Sequence, residues 1–169
     1  DKEILLLSSN LKVIGRAGIG VDNIDIDYAT SKGIIVMNTP HGNSITTAEH
    51  TIAMIMSLAR QIPDANVSTK KGKWEKSKFV GTEITGKKLG LIGCGNIGSI
   101  VVDRAKGLKM NVQVYDPFLT DDKSKELGIE KVSFENLLAS SDIISIFLVG
   151  FFFSWLIVFV STGFSCSTF

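Results

Sequence analysis

An α/β fold with a parallel sheet is what this sequence predicts, and one stretch, residues 89–116, supplies the three observations that predict it. First, the apolar run Leu89-Gly90-Leu91-Ile92 has the length of a buried parallel strand. Second, Gly93, Gly95 and Gly98 follow at G-x-G-x-x-G spacing and open a segment of helical periodicity, Ile97, Ile100, Val101 and Ala105, that stops at Gly107. Third, a second apolar run, Val112 to Tyr115, ends in Asp116, and Pro117 forbids its continuation. Strand, glycine turn, helix, strand and acid, in that order, make a Rossmann-type unit.

Each part has a physical task. Gly93 permits the tight turn off the strand, Gly95 lets backbone touch a pyrophosphate, and Gly98 lets the helix lie close on the sheet. The helix start near Ile97 presents unpaired N–H groups and a partial positive charge to phosphates. Asp116 falls eighteen residues beyond Gly98, where a carboxylate accepts both hydroxyls of an adenosine ribose and repels a 2′-phosphate. The expected cofactor is therefore NAD in preference to NADP. Two other readings fit part of the pattern: a βαβ unit whose glycines serve packing alone, and a methyltransferase-type unit, which also ends its second strand in an acid. The full three-glycine spacing favours the dinucleotide.

The remaining elements follow in order. Residues 11–17 read as a strand running into Gly15, Gly18 and Gly20. Asp25 caps a short helix over residues 26–32, closed by Gly33, and residues 34–37 form a second strand. This piece has too few apolar residues to stand alone and reads as the tail of a domain whose beginning is missing. Residues 38–43 are a turn-rich connector ending in Asn43, a good N-cap, while Thr46 and Glu49 at capping-box spacing offer a start one turn later. A helix then runs to about Arg60 with Ile45, Ala48, Ile52, Ile55 and Ala59 as one stripe, widened by Met54 and Leu58. So wide a face suits burial against two surfaces. Pro63 fits the first turn of a further helix that stops at Gly72. Beyond Asp116, Thr120 or Asp121 starts a helix ending at Gly128, residues 131–132 are extended, Ser133 caps a helix over 134–139, and Asp142 opens another strand.

The chain has 169 residues and a net charge of +1, so its bulk charge calls for neither nucleic acid nor an acidic membrane. Lys70, Lys71, Lys73, Lys76 and Lys78 surround Trp74; a phosphate or nucleic-acid patch is one reading, and a solvated loop with one packed indole is the favoured one. Its two cysteines, Cys94 and Cys166, stand far apart and suggest no disulfide framework or metal site, Cys94 being a small apolar filler in the glycine loop. Ile4 to Leu7 is too short for the core of a signal peptide and is preceded by acids, so a cytoplasmic location is expected.

GRAGIGVDNID at residues 15–25, NTPHGNSITTAEHT at 38–51, GKW at 72–74 and GTEITGKKLGLIGCGNIG at 81–98, together and in this order, resemble the D-2-hydroxyacid dehydrogenases. The resemblance runs from about Leu11 to Ser145. It implies an NAD-dependent enzyme whose nucleotide domain is inserted into a flavodoxin-like substrate domain. Residues 1–38 would then close the first substrate-domain segment, and residues 39–145 would form the first half of the NAD-binding domain. Gly93, Gly95, Asn96, Ile97 and Gly98 would hold the pyrophosphate and Asp116 the ribose. Backbone amides around Ile19 and Gly20 would meet the substrate carboxylate, with Asn43 also facing the 2-hydroxy acid. The helix over residues 43–60 would pack at a homodimer interface. The histidine, its carboxylate and the arginine that carry such chemistry lie later in the family than this chain reaches, so no catalytic residue is expected here. His41 sits in a T-P-H-x-G-like string on the wrong side of the glycine loop and reads as a loop residue; His50 reads as a packing or interface residue.

The last stretch departs from this pattern. No charged residue occurs from Ile143 to Phe169, in a chain 21% charged, and seven of its ten phenylalanines follow Ser145. A transmembrane anchor, a buried strand and helix, or a reading-frame error after Ser145 each account for such a run. The third is favoured. A spanning helix cannot begin inside a central strand without unpairing it, and no basic flank orients the run. Residues 146–169 are therefore expected to be an aberrant apolar tail.

Overall fold

The computed structural model describes residues 2–147 and 158–160. Contacts divide the chain between Ser44 and Ile45 into two units. The first holds α1 (Lys2–Leu6), β1 (Val13–Arg16), α2 (Ile26–Ser31) and β2 (Ile35–Asn38). The two strands pair in parallel, from Val13 opposite Ile35 to Arg16 opposite Asn38. Asp25 caps α2 by accepting the Tyr28 N–H at 2.9 Å. Leu5, Ala29 and Ile34 form a small core, flanked by Ile14, Tyr28 and Val36. Val13, Ile35 and Met37 share the other face of the strand pair and are exposed. A parallel pair normally covers both faces, so this one has half of its usual burial. The helix α1 was not expected: five residues carry too little periodicity to announce themselves, and only Leu5 is buried.

The second unit carries α3 (Ser44–Ala59), α4 (Ile62–Lys70), a 3₁₀ turn at Lys76–Lys78, β3 (Lys88–Ile92), α5 (Asn96–Gly107) and β4 (Asn111–Tyr115). It continues through α6 (Asp121–Leu127), β5 (Glu130–Lys131), α7 (Phe134–Ser140), β6 (Ile143–Ile146) and β7 (Val158–Val160). The sheet order is β5-β4-β3-β6-β7, with the first four strands parallel and β7 antiparallel to β6. This is the Rossmann-type arrangement expected, with β3 between β4 and β6. Val101, Val102 and Ala105 of α5 pack with Leu89, Leu91 and Val114 of the sheet and with Ala48, Ile55 and Ala59 of α3, while Ile92, Ile144 and Leu137 pack on the α7 face.

Three details differ from expectation. The buried stripe of α3 runs through Ala48, Thr51, Ile55 and Ala59, whereas Ile45 is 57% exposed. Thr51 joins that stripe because its hydroxyl donates to the Thr47 carbonyl at 2.9 Å and so carries no unpaired polar group into the core. α5 ends at Gly107 as expected, but the left-handed residue that follows it is Lys109 at φ 62° and not that glycine. Trp74 is 84% exposed, so the loop is solvated as expected but its indole is not packed. No helix among the described residues is long and apolar enough to cross a membrane, and most of the apolar run beyond Ser145 lies outside them.

The start of β6 is tied to β3 through Asp142, which accepts the Lys88 N–H at 2.8 Å and pairs with Lys87 at 3.2 Å. The Lys88 hydrogen bond, aided by Lys87, holds its carboxyl below the ordinary carboxylate value. Because the folded value is depressed, its stabilisation is present above the unfolded value and disappears as pH falls through the folded one. Asp142→Asn is therefore expected to be less stable than the parent at neutral pH, with the gap in urea midpoint closing as acid is added. A gap independent of pH would show that the charge contributes nothing.

Candidate functional site

The site grows from the turn after β3. Gly93 sits at φ +94°, donates its N–H to the Tyr115 carbonyl at 2.9 Å, and lies against the Phe147 carbonyl where a Cβ would have to go. The exit of β6 thus crosses directly over the turn, fixed by the Phe147 N–H donating to the Ile92 carbonyl at 2.7 Å. Gly95 is the N-cap of α5 at φ −74°, ψ −151°, and the place of its missing Cβ is open, with nothing within 4 Å. Asn96, Ile97 and Gly98 form the first turn of α5. A Cβ on Gly98 would come to 2.7 Å from the Gly93 carbonyl, so this glycine seats the helix on the turn itself, where a contact with the sheet was expected.

Asp116 closes the other side. Its Oδ2 accepts the Cys94 N–H at 2.7 Å, and its Oδ1 accepts the Phe118 N–H at 2.8 Å. A carboxylate offers about four lone-pair positions, so capacity for two ribose hydroxyls remains. The sequence pattern placed Asp116 near the loop but gave no sign of the Cys94 contact, which spans 22 positions. The structure therefore brings Gly93, Gly95, Asn96, Ile97, Gly98 and Asp116 together. Open space beside Gly95, the start of a 12-residue helix and an acid at the second strand's end fit a dinucleotide.

Cys94 is buried in this loop. Burial, and then the charge of Asp116, push its thiol up to about 11, against a smaller opposing effect of Lys123. It is therefore a protonated, inert filler at neutral pH. Iodoacetamide is expected to modify the Cys94 peptide slowly in the native protein and rapidly in urea; fast native labelling would contradict that environment.

Ile19, Gly20 and Asn43 lie in the first unit. The loop after β1 is held by residues the sequence reading passed over. The Arg16 guanidinium donates to the Gly20 carbonyl, the Asn38 amide donates to the Ile19 carbonyl at 2.8 Å, and the Thr39 N–H donates to the Gly18 carbonyl at 3.1 Å. A Cβ on Gly18 would stand 2.8 Å from the Arg16 guanidinium, so the loop wraps that group. Three successive carbonyls are taken up in this way. Asn43, His41 and His50 are exposed.

A family model for the D-isomer specific 2-hydroxyacid dehydrogenase, NAD binding domain, matches residues 52–150. The chain is 52% identical over 146 residues to D-3-phosphoglycerate dehydrogenase of Archaeoglobus fulgidus, covering 86% of this chain and 28% of that protein. It is 53% identical over 138 residues to the Bacillus subtilis enzyme of the same name, covering 82% and 26%. The chain thus spans about a quarter of the length of these relatives. Among solved structures, D-lactate dehydrogenase from Aquifex aeolicus, complexed with NAD and lactic acid, superposes with a TM-score of 0.80 at 35% identity, over 88% of this chain and 44% of that one. Sheet order, glycine turn, acid and family match agree: the chain belongs to the D-isomer specific 2-hydroxyacid dehydrogenases and carries their NAD-binding domain.

Proposed function

We propose that this chain is the nucleotide-binding part of an enzyme that oxidises a D-2-hydroxy acid with NAD, and that the substrate is 3-phosphoglycerate, giving 3-phosphohydroxypyruvate for serine biosynthesis. The observation that carries the substrate assignment is the identity of about one half to phosphoglycerate dehydrogenases of an archaeon and a bacterium. NAD supplies a hydride acceptor, and this chain's residues bind and orient it. Gly95, Asn96, Ile97 and Gly98 take the pyrophosphate on backbone amides, Gly93, whose own N–H goes to the Tyr115 carbonyl, shapes the turn that holds it, and Asp116 takes the adenosine ribose. Ile19 and Gly20 offer amides to the substrate carboxylate, a role supported by the way Arg16, Asn38 and Thr39 occupy the loop's carbonyls. Asn43 faces the substrate.

In this reading residues 1–38 belong to the substrate domain, residues 39–145 to the NAD-binding domain, and 146–169 to an out-of-frame tail. The general base and the carboxylate-binding arginine lie in the three quarters of the relatives that this chain does not cover. The chain alone binds cofactor without turnover, the complete enzyme is a cytoplasmic homodimer joined through the 43–60 helix, and neither nucleic acid nor membrane takes part. The test is a version joined at Ser145 to the family's second half and assayed for NADH formation. Turnover of 3-phosphoglycerate ahead of D-lactate and D-glycerate is expected. Preference for either of the latter would overturn the substrate assignment, and cofactor binding without turnover on any of them would overturn the enzyme reading.

A further inference from the structure

We infer that Asp116 has a second task besides the ribose: it is the strut that sets the glycine loop in its phosphate-binding shape. The Asp116 carboxylate accepts the Cys94 N–H at 2.7 Å and the Phe118 N–H at 2.8 Å, one on each oxygen. Cys94 lies between Gly93 and Gly95, so this bond acts at the centre of the turn, two positions before α5 begins. The other ties on the turn differ in kind: the Gly93 N–H goes to the Tyr115 carbonyl, next to Asp116, and is a backbone contact that no side-chain substitution removes. The loop's geometry therefore hangs from β4 at two adjacent points, one a backbone carbonyl and one a carboxylate.

The turn needs such a support. Gly95 has no side chain to cap α5, and its carbonyl accepts the Ser99 N–H at 3.0 Å, a tie to the helix and not to β4. A charge-assisted bond to a backbone N–H is among the stronger hydrogen bonds available, and it pulls the Cys94 amide toward β4 and away from the phosphate side. Asp116 is thus a cofactor ligand and a positioning residue at once. Its loss weakens pyrophosphate binding even where no ribose hydroxyl is present to be bound. This inference rests on the NAD-binding reading of the same loop.

The experiment separates the two tasks with ligands that lack one of them. Calorimetry compares ADP with 2′,3′-dideoxy-ADP on the parent chain, Asp116→Ala and Asp116→Asn. ADP binding to the parent establishes the nucleotide site independently of the strut. Removing the carboxylate is expected to weaken dideoxy-ADP by about tenfold in Asp116→Ala, with Asp116→Asn, which keeps one oxygen acceptor, in between. Amide exchange is expected to rise at Cys94 and Phe118 with β3, β4 and α5 unchanged. If dideoxy-ADP binds the variants as it binds the parent, Asp116 serves the ribose alone and the strut is refuted. A uniform rise in exchange across β3, β4 and α5 would refute it as well, since the effect would then be general loosening. Should Asp116→Ala fail to fold, the asparagine variant decides by the same two readouts.

Discussion

Gly95→Ala is expected to leave the fold standing and to abolish useful NADH binding. The backbone at this position is extended, at φ −74° and ψ −151°, and alanine adopts it without crossing into the left-handed region. The new methyl meets no protein atom within 4 Å, and exchanging glycine for alanine at an N-cap costs about 1 kcal/mol. The same methyl occupies the space through which the loop's amides reach a phosphate. Losing two charge-assisted hydrogen bonds, each worth roughly 1.5 kcal/mol or more, weakens binding by about a hundredfold. Urea denaturation and NADH fluorescence titration measure the two effects separately. A variant that binds like its parent would show that Gly95 is not where the pyrophosphate sits.

Gly93→Ala is expected to behave in the opposite way. At φ +94° an L side chain is strained, and its Cβ would collide with the Phe147 carbonyl, with the carbonyl carbon only 3.0 Å away. Both atoms belong to backbone held by the Phe147 N–H bond to Ile92, so the neighbour cannot swing aside. Backbone strain and overpacking together cost roughly 3 kcal/mol or more, a large share of a domain's stability. The urea midpoint should fall sharply whether or not NADH is present. An unchanged midpoint would mean that β6 does not cross the turn as described. The two glycines, two positions apart, thus divide into one that serves the ligand and one that serves the fold.

The second unit was largely legible in the sequence because its signals are local. Thr120 and Ser133 cap α6 and α7, Gly128 ends α6 at φ 60°, and the apolar runs of β3, β4 and β6 become adjacent parallel strands. What the sequence hid depends on neighbours distant along the chain. Whether Trp74 packs or Ile45 is covered is decided by surfaces that periodicity does not report. The seat of Gly98 on Gly93, the crossing of Phe147 and the bond from Cys94 to Asp116 are contacts through space with no compositional trace. The same is true of Arg16 and Asn38, which a reading of G-x-G spacing passes over because their work is done on carbonyls of other residues. α5 ends at Gly107 as expected, but the left-handed conformation that glycine usually supplies falls on Lys109, which no local signal marks.

Calorimetric titration of the folded chain with NADH, with NADPH run beside it, bears most directly on the nucleotide site. One saturable site is expected for NADH, with NADPH at least about tenfold weaker because Asp116 opposes a 2′-phosphate. A well-folded sample that takes up neither cofactor, or that takes both equally, would contradict the assignment of this turn and this acid to NAD.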